Sequence, residues 1–230
     1  VGGRSCVISQ TGFSGESGYE IYLRNATLYA DDMWDAVLEA GKKHNLMVIA
    51  PAHHRRIQAG ILSWGQDLDH EHNPFQCNLG YQVSLSGKGE WEKKGDYIGK
   101  QALEKMKADL KDGHKPYKLQ LVGFEIGGKP IDEYAPDFWL VSPGDGGDPC
   151  GFITSPWYHP EKGKNIAMGY IPFDGTLNPN GFPKWELGKK FKVHLPDIYA
   201  DEPGVPVDAV TVDVPFTESF NANTREVVKG

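Results

Sequence analysis

The sequence predicts an α+β chain, with an α+β layer followed by a small antiparallel β-barrel or sandwich. Three observations carry this. Up to about residue 112 strand-like and helix-like stretches alternate. Beyond Asp112-Gly113-His114-Lys115-Pro116, the best linker candidate, short β-rich runs are punctuated by Gly and Pro. Hydrophobic residues make up 39% of the 230 and aromatics 11%, enough for a packed core. No apolar run approaches the roughly 18–20 residues that span a bilayer.

Each element has its own reason. Residues 5–10 and 19–23 have the short, partly alternating β-rich look of strands. Between them Thr11-Gly12-Phe13-Ser14-Gly15-Glu16-Ser17-Gly18 makes a tight connection, read as a hairpin turn or as a turn whose backbone and flanking side chains approach a ligand. A helix follows, capped by Asp31 or Asp32, with Met33, Trp34, Val37 and Leu38 as its apolar stripe and Gly41 at its end. Leu46 to Ile49 predicts a buried strand. Pro51 predicts the start of a second helix running through Leu62. The loop-rich stretch 64–85 precedes a short helix over Lys100 to Leu110, with Leu103, Met106 and Leu110 on one face. The later strands are expected at 119–126, 138–141, 151–155, 166–171, 190–195 and 207–214, with a polar tail from 217.

Net charge is −7, and no Lys/Arg cluster is dense enough to serve as a phosphate-binding surface, which speaks against nucleic acid. Cys6, Cys77 and Cys150 are odd in number and far apart, so neither a disulfide framework nor a cysteine zinc site is suggested. A cytoplasmic setting is expected. The chain opens at Val1 almost directly into a strand, without signal-peptide patterning, as a fragment would.

The loop Asp67, Asp69, His70, Glu71, His72 with Cys77 holds several potential metal ligands. His-x-His on a loop is a loose pattern, however, and a solvated connection with wet charges is the expected state, with no metal. His53 and His54 are adjacent on a helix and face different directions, so they do not ligate one ion together. A nucleophile elbow, a P-loop and a dinucleotide glycine fingerprint are all missing.

Several segments in register nevertheless resemble one family. Thr11 to Ile21 is similar to the signature of the glycine cleavage T-protein (aminomethyltransferase) family, in which an aromatic residue and a later Glu flank a glycine-rich turn. Arg56-Ile57-Gln58-Ala59-Gly60-Ile61-Leu62-Ser63-Trp64-Gly65-Gln66-Asp67 resembles the following helix and its Gly-Asn-Asp-like ending. Asn73-Pro74-Phe75-Gln76-Cys77 and Asp96 to Leu103 continue the match, and Gly151 to Ser155 with Lys164 to Ile171 resemble the C-terminal barrel.

The resemblance implies a ferredoxin-like α+β part of a folate-binding domain over 1–112, a β-barrel domain over 113–216 and a polar tail over 217–230. It implies tetrahydrofolate as cofactor. Glu20 would accept from the adjacent N–H donors of the pterin, Phe13 would pack on the folate, and Tyr19 and Arg56 would complete the contacts. The family's folate-contacting Arg aligns with Ala52 here, and its catalytic Asp belongs to an N-terminal region not in this sequence, so the missing N-terminal half of the enzyme is an expected partner. Lys94-Gly95-Asp96-Tyr97 carries Asp where the iron–sulfur-repair branch carries Cys. The Asn-Pro-Phe-Gln-Cys segment and Asp67-Leu68-Asp69 before it resemble the folate-dependent demethylases, which move a methyl group from a small sulfonium or methoxyaromatic donor to tetrahydrofolate. The alternatives are an aminomethyltransferase proper, a non-catalytic folate-binding domain and, on the loop of His70, Glu71 and His72 alone, a metal-dependent hydrolase.

Overall fold

The computed structural model describes residues 2–85 and 96–217. Lys94-Gly95 and the tail beyond Thr217 lie outside the described residues. The chain divides into two compact units, Val1–Arg56 and Ile57–Gly230.

In the first unit β1 (Cys6–Ser9) pairs antiparallel with β2 (Glu20–Leu23), Val7 opposite Tyr22 and Ile8 opposite Ile21. α1 (Ala26–Gly41) starts before the expected caps. Asn25, in the left-handed conformation at φ 55°, turns the chain into the helix instead, a conformation that a short polar side chain tolerates. Asp31 and Asp32 fall inside the helix, and Asp32 pairs with Arg4 at 2.5 Å. Met33 is the only buried apolar residue among those described in this unit.

The buried strand expected at Leu46–Ile49 does not form; the segment is irregular, with Met47 78% and Ile49 75% exposed. A strand is stabilised by its ladder, and this segment joins none among the described residues. α2 (His53–Gln58) is also shorter than the expected run to Leu62. Gly60, at φ +68°, takes a left-handed turn that ends it, and a Cβ there would meet Val214 at 2.3 Å.

In the second unit α3 (Lys100–Lys111) precedes a closed six-stranded antiparallel barrel. Its strands are β3 (Leu119–Ile126), β4 (Trp139–Pro143), β5 (Gly151–His159), β6 (Lys164–Pro172), β7 (Lys190–Val193) and β8 (Val207–Val212), in the order β3-β6-β5-β4-β7-β8. The fold is therefore α+β with a barrel rather than a sandwich. Alternation explains the interior: Val122, Phe124 and Ile126 of β3 point inward with Val141, Ile153, Phe191, Val193 and Val207. β6 is buried on both faces. Ala167 and Ile171 face the interior, while Ile166, Met168 and Tyr170 pack outside it against Ile57, Leu121 and Phe216. Its near-continuous apolar sequence reflects this double burial.

Between β5 and β6 the register slips: Ile153 pairs with Gly169 but Ser155 with Met168, leaving Thr154 as an extra residue on β5. This bulge bends the strand and re-aims its side chains.

Candidate functional site

The glycine-rich turn is held by side chains of its own unit. Ser9 and Thr11 share a hydroxyl hydrogen bond of 2.5 Å, the Glu16 amide donates to Ser14 Oγ at 3.3 Å, and Arg55 lies 3.8 Å from the Glu16 carboxylate. Phe13 is 49% exposed, so it is not a core residue. The Arg56 guanidinium stands 5.8 Å from the centre of its ring, within cation–π range. Arg56 itself is fully buried, and its Nε donates to His53 Nδ1 at 3.4 Å. Burial and then the Arg55 charge hold neighbouring His54 below its ordinary pKa.

Glu20 opens β2 opposite Ser9. Two residues on, Tyr22 shares its face of the strand, and the Tyr22 hydroxyl donates to Glu20 Oε2. That bond raises the Tyr22 pKa. The structure thus pairs Phe13 with Arg56 and Glu20 with Tyr22, while Tyr19 stands 70% exposed. Tyr22 was not among the expected site residues, although its i+2 spacing from Glu20 announces the shared face.

The acidic loop departs from expectation at its start. Asp67 is not wet but buried. Its Oδ1 accepts from Thr154 Oγ at 2.5 Å and Ser155 Oγ at 2.6 Å, and its Oδ2 from the Ser63 amide at 2.8 Å. Two consecutive residues of a regular strand face opposite sides. The bulge at Thr154 lets both hydroxyls reach one carboxylate oxygen. The Tyr170 hydroxyl donates to the Asp67 carbonyl at 2.6 Å, and Cys77 Sγ lies 3.4 Å from the same hydroxyl. The loop is thereby clamped to β5 and β6. Further along, His72 Nδ1 and Asp69 Oδ1 are 2.7 Å apart. Among the described residues no group of three His, Cys, Asp or Glu side chains is arranged to hold a metal. None of the three cysteines is in a disulfide, and no described helix is long and apolar enough to cross a membrane.

Burial pushes the phenols of Tyr170 and Tyr117 well above their ordinary value of 10.0. A raised acid stays protonated in the folded state, while the unfolded chain ionises near pH 10. The contribution is therefore complete below that value and lost as pH climbs beyond it. Urea unfolding should show stability falling above about pH 10, and Tyr170→Phe should flatten the fall. An alkaline limb identical in the variant would contradict this.

Residues 1–87 match the GCVT N-terminal domain. The chain is 31% identical over 173 residues to an aminomethyltransferase of Caldanaerobacter subterraneus subsp. tengcongensis, covering 74% of this chain and 41% of that protein. It is 33% identical over 170 residues to the aminomethyltransferase of Symbiobacterium thermophilum, covering 72% and 40% respectively. In fold it is similar to the crystal structure of glycine cleavage system aminomethyltransferase T from Bartonella henselae, with a TM-score of 0.64 and 22% identity, over 92% of this chain and 49% of that one. The chain thus spans less than half the length of the aminomethyltransferases it matches. The GCVT match includes the glycine-rich turn, Glu20 and the Asp67 loop.

Proposed function

We propose that this chain is the C-terminal portion of a tetrahydrofolate-dependent one-carbon transferase, and that the group moved is an aminomethyl group. The observation that carries this is the GCVT match over residues 1–87 together with about 30% identity to proteins named aminomethyltransferase. The demethylase reading rests on Asp67-Leu68-Asp69 and Asn73 to Cys77, and the similar proteins favour the aminomethyl one.

The residues present suit a folate. Tyr22 occupies Glu20 Oε2, which leaves Oε1 to accept from a pterin N–H, and the half-exposed Phe13 ring offers a flat apolar face. When bound, tetrahydrofolate supplies the nitrogen nucleophile that takes the one-carbon unit. Glu20 would orient the pterin and Phe13 would cover it from water, with Arg56 over the Phe13 ring to steady it. Alignment of the two reactants would then supply most of the acceleration. A proton-handling carboxylate would come from the companion half of the enzyme, which is the proposed partner.

Titration of the chain with 5-formyltetrahydrofolate tests the folate assignment. Glu20→Gln should weaken binding about tenfold or more, the loss of a charge-assisted hydrogen bond. Unchanged affinity would remove Glu20 from the site. Assays with the companion half should form methylenetetrahydrofolate from an aminomethyl carrier, with release of ammonia and of the freed carrier, whereas methyltetrahydrofolate from dimethylsulfoniopropionate or vanillate would restore the demethylase reading.

A further inference from the structure

The second unit carries a groove with no role in the reading above. Two adjoining cavities of about 300 and 220 Å³ share Asn78, Tyr81 and Trp185. Their walls are rings and aliphatic groups: Tyr81, Phe182, Trp185, Leu187, Leu79 and Val214. The walls are fixed. The Trp185 indole N–H donates to the Val212 carbonyl at 2.9 Å, and Phe182 stacks on Phe75 at 6.4 Å. The Lys184 amide donates to the Thr176 carbonyl at 2.9 Å, beside the bridge between Leu177 and Pro183. Asn78 forms part of the floor, its Nδ2 donating to the Leu121 carbonyl at 2.8 Å and its Oδ1 accepting from Gln120 at 2.6 Å. Tyr81 contrasts with these, 72% exposed at the edge.

The charges favour an anion. Lys184 lines the groove, and no carboxylate among the described residues forms an ion pair with it. Lys107 stands 5.1 Å from the Phe182 ring centre and adds a second positive charge to that wall. The opposing charge in the groove is Asp213, whose Oδ1 already accepts from the Val214 amide at 3.0 Å, while Asp174 and Glu186 line the adjoining void together with Lys189. Behind Lys184 and Trp185 a void of about 10 Å³, room for about one water, is lined by Gln120. Gln120 is buried, its amide nitrogen satisfied, and its Oε1 has no hydrogen-bond partner among the described residues. An aromatic wall thus carries at its edge an ammonium that forms no ion pair among the described residues.

We propose that this groove binds a small planar aromatic carboxylate, its ring against Tyr81 and Trp185 and its carboxylate on Lys184. Stacking and one charge-assisted hydrogen bond give the selectivity: an aliphatic acid lacks the first and a neutral ring the second. The proposal is independent of the Glu20 site, so failure of either leaves the other standing.

Proton–nitrogen correlation spectra of the whole chain, titrated with benzoate, cyclohexanecarboxylate and benzyl alcohol, decide the matter. Benzoate should move the Trp185 indole and Gly80 amide signals, with both other probes weaker by about tenfold. Lys184→Gln should weaken benzoate by a similar factor and leave benzyl alcohol unchanged, and Tyr81→Leu should weaken both aromatic probes. No movement of these signals at millimolar benzoate would overturn the proposal. So would equal binding of the aliphatic acid, or benzoate affinity untouched by both substitutions. Thermal melting confirms that each variant is folded; Tyr81→Phe, which keeps the ring, should bind as the parent does and supplies the check if Tyr81→Leu is unstable.

Discussion

Asp67→Ala should lower the stability of the second unit by about 3–5 kcal/mol, the range for breaking a buried, hydrogen-bonded ionisable group. The loss comes from what is left behind. Thr154 Oγ, Ser155 Oγ and the Ser63 amide all donate to this carboxylate, the two hydroxyls withdrawn from water and the amide partly so. A stranded buried donor costs about 1–3 kcal/mol. Thr154 keeps an alternative acceptor, the Met168 carbonyl at 3.1 Å, which trims its share. Asp67→Asn retains an acceptor oxygen and the shape, so it should lose about 1–2 kcal/mol. Urea midpoints with unchanged slope would measure both. An alanine variant as stable as the parent would mean that the clamp contributes nothing.

The second large effect is expected at Gly151, where β5 begins. A Cβ built there would lie 2.0 Å from the Tyr170 carbonyl oxygen and 3.1 Å from its carbon. The obstacle is backbone of the double-buried β6, not the tip of a flexible side chain, so it cannot swing aside. Gly151→Val should therefore cost about 3 kcal/mol, the upper range of overpacking. Leu140→Ala, at a half-exposed position on the neighbouring β4, should stay within about 1 kcal/mol and serves as control. Similar melting temperatures for the two variants would argue against this close approach.

Much of the barrel was legible because its signals are local. β3 runs over Leu119–Ile126 as expected, since eight residues bounded by turn signals leave little room for another reading. β5 extends beyond its expected end to His159 by pairing with β6, and β6 reaches Pro172 by pairing with β3. What could not be read depended on distant partners. Leu46–Ile49 has strand composition but no ladder to join. Asp67 looked like one charge among several in a polar loop; its burial is decided by a bulge almost ninety residues away, at Thr154. Of the expected folate residues, Glu20 and Phe13 stand where a turn presents them. The pairing of Glu20 with Tyr22 follows from strand alternation, whereas the burial of Arg56 is a tertiary fact that helix periodicity in six residues does not reveal.

The closure of the barrel has a kinetic consequence. β3, the first strand of the barrel in sequence, pairs with the last, Gly123 meeting Val212 and Ile126 meeting Ala209. Neighbouring strands can find each other early, but this seam requires a long loop to close first, and loop entropy opposes it until the intervening strands have gathered. During synthesis the β3 edge must therefore wait, unpaired, until the end of β8 has emerged. An apolar edge left open for that interval invites pairing with another nascent chain. The risk of misassembly thus lies at the β3–β8 seam rather than at the β5–β6 hairpin, whose partners are consecutive in the chain.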